Sequence, residues 1–78
     1  MSITKVDQVV DARGLACPMP IVRTAQAMKA LEAGQTLEVL ATDPGAVPDF
    51  QAWSRSTGHA LIEMTEEAGV YRFLLRHR

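Results

Sequence analysis

Apolar and polar residues alternate over 36–41, with Leu37, Val39 and Ala41 set against Thr36, Glu38 and Leu40. A period of two marks a strand with one buried face. Leu40 breaks the polar set, so this strand is expected to be covered on both sides. The same period over 70–76 puts Tyr71, Phe73 and Leu75 on one face, and over 60–66 it pairs Ile62 with Met64. The β-branched run at 8–11 reads as a further, first strand. Between these strands the period lengthens. Ile21, Ala25, Met28 and Leu31 recur at helical spacing, with Arg23, Gln26, Lys29 and Glu32 on the other face. A helix is predicted over 18–33, with Gly34 as its stop. A second helix is predicted from about Val47 to Ser56, with Phe50 and Trp53 as its core residues. Pro48 fits its first turn, Asp49 complements its dipole and Gly58 ends it.

The element order is therefore β-α-β-α-β-β. Glu66-Glu67-Ala68-Gly69 is too short for anything but a tight connection, so the last two strands pair as a hairpin. Right-handed crossovers place both helices on one face of a four-stranded mixed sheet. The predicted fold class is α+β, a two-layer α/β sandwich. Residues 12–16 and the run Thr42-Asp43-Pro44-Gly45 are turns. If the first two strands are parallel neighbours, both turns lie at the same end of the sheet. That end is where open α/β sheets place their sites.

Composition narrows the function classes. The 78 residues are expected to form one small domain over 1–78, with little stability to spare. Apolar residues make up 47% and charged residues 22%, which is globular and not disordered. A net charge of −1 gives no general attraction to nucleic acid or to anionic membranes. Met1 to Asp7 lack the apolar run of a signal peptide, and no stretch approaches membrane-spanning length. The expected compartment is the cytoplasm. A single cysteine, Cys17, excludes both an internal disulfide and a CxxC redox pair.

Cys17 opens Cys17-Pro18-Met19-Pro20, directly before the first predicted helix. Prolines fit a helix start, where N–H groups have no intrahelical partner to lose. They cannot alternate inside an interior strand. Arg13 and Gly14 just upstream also suggest an exposed turn. Unpaired N–H groups and the positive end of the helix dipole favour thiolate, so the sulfur is expected to be more nucleophilic than a free cysteine. The competing reading is a small buried hydrophobe.

Asp11-Ala12-Arg13-Gly14-Leu15-Ala16-Cys17-Pro18-Met19-Pro20, with Asp43-Pro44 after the second strand, resembles the signature of the TusA-like (SirA-like) family of small sulfur carrier proteins. The resemblance covers nearly the whole chain. It implies the same two-layer fold. It also implies that Cys17 takes up a sulfane sulfur, carries it as a persulfide and passes it on. Implied donors are a cysteine desulfurase or a rhodanese-like protein. Implied acceptors are sulfur relay proteins of tRNA thiolation, molybdenum cofactor synthesis or sulfur oxidation. Such a chain is a sulfurtransferase-type carrier, and whether it counts as an enzyme is a matter of definition. Met19 departs from members serving tRNA thiolation that have an acidic residue between the prolines. An exposed methionine is an adaptable apolar contact and is expected to bear on partner choice.

The remaining residues have plainer readings. Asp11 orients the loop by accepting backbone N–H bonds, as Asp does in turns. It is not expected to take the Cys17 proton, because a nearby carboxylate raises a thiol pKa. Arg13 either stabilises the thiolate or meets an acidic partner, or is a solvated surface charge. Gly14 supplies a backbone conformation closed to other residues. Asp43 is a turn former, with partner contact at Asp43 and Pro44 as the second reading. His59 and His77 have no metal-ligand spacing with Cys17, and no metal or cofactor is expected. Trp53 reads as core. Arg72, Arg76 and Arg78 read as charge protecting a final edge strand, or as a docking edge for an acidic partner. A monomer suits a carrier that shows one thiol to several partners. Two rival functions stand beside the carrier: a docking or regulatory module with a structural Cys17, and a small nucleic-acid binder. Slight acidity and few exposed aromatics argue against the latter.

Overall fold

The computed structural model describes residues 6–78, so most of the N-terminal stretch read for a leader lies outside the described residues. Alternation becomes strand and the longer period becomes helix in the predicted order. The elements are β1 (Gln8–Ala12), α1 (Met19–Met28), β2 (Thr36–Ala41), α2 (Ala46–Thr57), β3 (Ala60–Glu67) and β4 (Val70–Arg76). The four strands form one mixed sheet in the order β1-β2-β4-β3. β1 runs parallel to β2, while β4 is antiparallel to both β2 and β3. The β3–β4 hairpin closes through Ala68 (φ 53°) and Gly69 (φ 83°). Positive φ at both central residues is the turn whose twist matches a two-stranded ribbon.

One face of this sheet carries the core. Ala12, Leu37, Val39, Ala41, Phe73 and Leu75 pack there against Met28 of α1 and Ala46 and Phe50 of α2. Phe50 stacks on Phe73 with ring centroids 4.4 Å apart, which pins α2 to β4. Thr24 is fully buried, and its hydroxyl donates to the Pro20 carbonyl at 2.8 Å. The polar group is therefore hydrogen-bonded within its own helix.

Several local expectations give way to tertiary packing. α1 ends at Met28, not Ala33. Lys29, Ala30 and Leu31 donate to carbonyls three residues back, a tightened turn after which Leu31 packs on the core. Gly34 (φ 89°) turns the chain into β2, and its N–H donates to the His77 carbonyl. In β3 the register shifts between Leu61 and Glu63, so one residue is extra to the ladder. Leu61 therefore packs on the core, while Ile62 and Met64 are exposed. Leu40 faces away from the helices, and no element covers that face among the described residues. It is shielded in part by cross-strand neighbours, with Arg72 directly opposite. Trp53 is half-buried at the margin of the core, not inside it. β4 is an inner strand and not an edge. Its Arg72 reaches across to Glu38 of β2 at 2.8 Å, so the edge-protection reading of the arginines does not hold.

Candidate functional site

Because β1 and β2 are parallel neighbours, the chain leaves both at the same end of the sheet. The β1–α1 turn and the β2–α2 turn meet there. Gly14 (φ 81°) bends the first turn, and its N–H donates to Thr42 Oγ1 at 2.9 Å. The Cys17–Pro18 peptide bond is cis, Pro18 is the cap of α1 and Pro20 is buried in its first turn. Cys17 is exposed. Its backbone N–H donates to Asp43 Oδ2 at 2.8 Å. Its thiol donates to Asp49 Oδ2, from the first turn of α2.

Asp43 holds the site together through two bonds in two directions. Oδ2 accepts from Cys17, and Oδ1 accepts from the Gly45 N–H at 3.0 Å. These donors hold the Asp43 carboxyl below its ordinary value, the Cys17 bond contributing most. Pro44 lies in the same turn and its carbonyl accepts from Val47.

Asp11 and Arg13 pair with each other. Arg13 Nε and Nη2 each lie 2.9 Å from a separate Asp11 oxygen, and the Arg13 backbone N–H donates to Oδ1 at 3.2 Å. The guanidinium bond, followed by the backbone bond, lowers the Asp11 pKa to about 2. Arg13 is thus turned to Asp11, and it is not among the charges acting on Cys17. Its thiolate-stabilising reading is not supported.

The electrostatics at Cys17 run opposite to the expectation from the helix end. The thiol is pushed above its ordinary value, first by the hydrogen bond to Asp49, then by desolvation and the charges of Asp49 and Asp43. The physical reason is distance. A full negative charge in hydrogen-bond contact with sulfur outweighs about half a positive charge at a helix that starts two residues later. In this state the sulfur is a thiol.

Sequence reasoning overlooked Asp49, which reads as an ordinary first-turn acid. The signal was available: if both turns share one end of the sheet, the first turn of α2 faces the first βα turn. The pairing of His59 with His77 was also missed. Their rings lie 4.6 Å apart at the opposite end of the sheet, with Trp53 5.4 Å from His59. Burial pushes the His59 pKa down, with His77 and Arg78 adding to it. Among the described residues no group of three or more His, Cys, Asp or Glu is arranged to hold a metal ion.

The family model described as Sulfurtransferase TusA matches residues 8–77, a span that holds every element and the whole Cys17 site. The chain belongs to the TusA family. Sulfur carrier protein TusA of Allochromatium vinosum is 49% identical over 70 residues, covering 90% of this chain and 92% of that protein. YrkI of Bacillus subtilis is 58% identical over 72 residues, covering 92% and 96%. The crystal structure of a SirA-like protein from Desulfitobacterium hafniense matches with a TM-score of 0.78 at 27% identity, covering 88% of this chain and 95% of that one. The two-layer TusA-family sandwich is therefore shared from β1 through β4. No helix among the described residues is long and apolar enough to cross a membrane.

Proposed function

We propose that this TusA-family chain is a sulfur carrier in which Cys17 accepts a sulfane sulfur as a persulfide and hands it to an acceptor protein. The observation that carries this reading is an exposed thiol in a fixed turn of a chain with no second cysteine. In loading, the Cys17 sulfur attacks the outer sulfur of a donor persulfide. The donor S–S bond breaks, its inner sulfur leaves as a thiolate, and no external oxidant is consumed. Without a second thiol in the chain, the bound sulfur cannot be expelled as an internal disulfide. It leaves when an external acceptor attacks.

Asp11, Arg13, Gly14, Pro18 and Pro20 shape the loop that presents Cys17, and Asp43 with Pro44 supports it from the second turn. Met19 and Val22 are 41% and 38% exposed, three residues apart on α1, which starts two residues after Cys17. Such a pair offers an apolar contact to a docking partner, in keeping with a methionine between the prolines. The partners are a sulfur donor of the cysteine desulfurase or rhodanese type and a sulfur acceptor in tRNA thiolation, molybdenum cofactor synthesis or sulfur oxidation. The carrier works as a monomer in the cytoplasm, where thiols stay reduced.

Intact-protein mass spectrometry after incubation with polysulfide or a loaded cysteine desulfurase tests this. The expected result is a gain of one sulfur, removed by reductant and absent in Cys17→Ser. A folded, reduced protein that gains none from either donor would favour a docking module with a structural cysteine.

A further inference from the structure

Asp49 is a carboxylate without an ion-pair partner among the described residues, where the salt bridges are Arg13–Asp11 and Arg72–Glu38. Its side chain instead accepts from the Cys17 thiol, 32 residues away in sequence. The rest of the surroundings offers the sulfur no cation. From the β2–α2 turn, Asp43 adds a second negative charge. The first turn of α1 carries no acidic residue, and Arg13 of the β1–α1 turn is bound to Asp11. The two histidines lie at the other end of the sheet.

We propose that Asp49 is the proton acceptor for Cys17, holding it as a thiol while the carrier is empty and taking its proton as a donor persulfide is attacked. The proposal rests on the carrier reading above. In the step, the S–H bond of Cys17 breaks and its proton moves to Asp49 Oδ2. The electron pair left on sulfur forms the new S–S bond with the outer sulfur of the donor. The donor S–S bond breaks, and its pair leaves on the inner sulfur as a thiolate. That thiolate recovers the proton from Asp49 directly or through water. Thiol and persulfide exchange places with no net change in oxidation. The empty carrier gains protection from stray electrophiles, because a thiol held on a carboxylate is a poor nucleophile until a donor is in place. Asp49 touches the reacting atom, so it is a catalytic residue in this scheme and not only a support.

The test is the pH profile of sulfur loading from glutathione persulfide, followed by intact mass, for the wild type, Asp49→Asn and Asp49→Glu. Taking the ratio of variant to wild-type rate at each pH removes the ionisation of the donor. With an internal proton acceptor, loading changes little from about pH 6 to 8; without one, it must follow thiolate, about tenfold per pH unit. Asp49→Asn is therefore expected to be slower by about tenfold or more at pH 6, with the gap closing towards alkaline pH. Asp49→Glu should restore the flat profile in part. Iodoacetamide alkylation run alongside should show the Asp49→Asn thiol ionising at lower pH than the wild type. An Asp49→Asn profile parallel to the wild type, whether slowed or not, would overturn the proposal. If the wild type gains no sulfur, the carrier reading itself fails and this scheme with it. A wild-type gain with parallel profiles removes Asp49 alone.

Discussion

The two βα turns sit side by side and differ in where their side-chain support comes from. The second, between Ala41 and Ala46, closes on itself: Asp43 caps Gly45 with its side chain and Ala46 with its carbonyl. The first, between Ala12 and Met19, has bonds of its own from Leu15 to Ala12 and from Met19 to Ala16, and borrows the rest. Gly14 leans on Thr42, the Cys17 backbone on Asp43 and the Cys17 thiol on Asp49. The turn that bears Cys17 is thus positioned in part by its neighbour and by α2. Damage to the second turn should reach Cys17, whereas damage to the exposed part of the first should stay local.

The largest effect is expected where the supporting helix is anchored. Phe50 is fully buried one residue beyond Asp49. Phe50→Ala should cost about 3–5 kcal/mol in urea unfolding, much of what a small domain has. A loss under about 1 kcal/mol would mean that α2 is held by other contacts. Next comes Asp43→Asn, which should lower the melting temperature at neutral pH. Asp43 has a folded-state value below its ordinary 3.8. Its stabilisation is therefore complete above the unfolded value and is lost as pH falls through the lower folded one. Acid unfolding followed by circular dichroism should show this limb in the wild type and a flatter one in the variant. An identical limb would dissociate the two turns.

Gly14→Ala comes third. No atom lies within 4 Å of the added methyl, so only the positive φ is strained. The expected cost is about 1 kcal/mol, read as a shift of the urea midpoint. The smallest effect belongs to Arg13→Ala. Its ion pair with Asp11 is half-exposed on both sides, and such pairs contribute little. Cys17 alkylation should stay within about twofold of wild type. A marked slowing would return Arg13 to the thiol.

Much of this fold is legible in the chain because strand and helix periods are local properties. Thr36–Ala41 and Val70–Arg76 have the same bounds in the sequence reading and in the structure. The parallel pairing of β1 and β2, and with it the meeting of the two turns, stood in the sequence only as a condition, which the structure meets. What escaped the reading depends on distant partners. The register shift near Ile62 answers to β4, and the early end of α1 to the packing of Leu31. The charge at Cys17 escaped for the same reason. A helix end can be inferred from Pro18 and Pro20, but the carboxylate that opposes it arrives on another helix. No span of sequence around Cys17 contains Asp49.

The placement of β4 between β2 and β3 has a temporal consequence. Leu37 and Val39 of β2 lie opposite Leu75 and Phe73, from the last strand in chain order. As the chain emerges during synthesis, β1, α1 and β2 can associate, but the middle of their sheet is missing and Phe50 has no Phe73 to stack on. Completion waits for contacts between distant parts of the chain, which slows closure relative to a protein assembled from neighbours. Until then Cys17 is already exposed to solvent while its carboxylate neighbours are not yet fixed beside it.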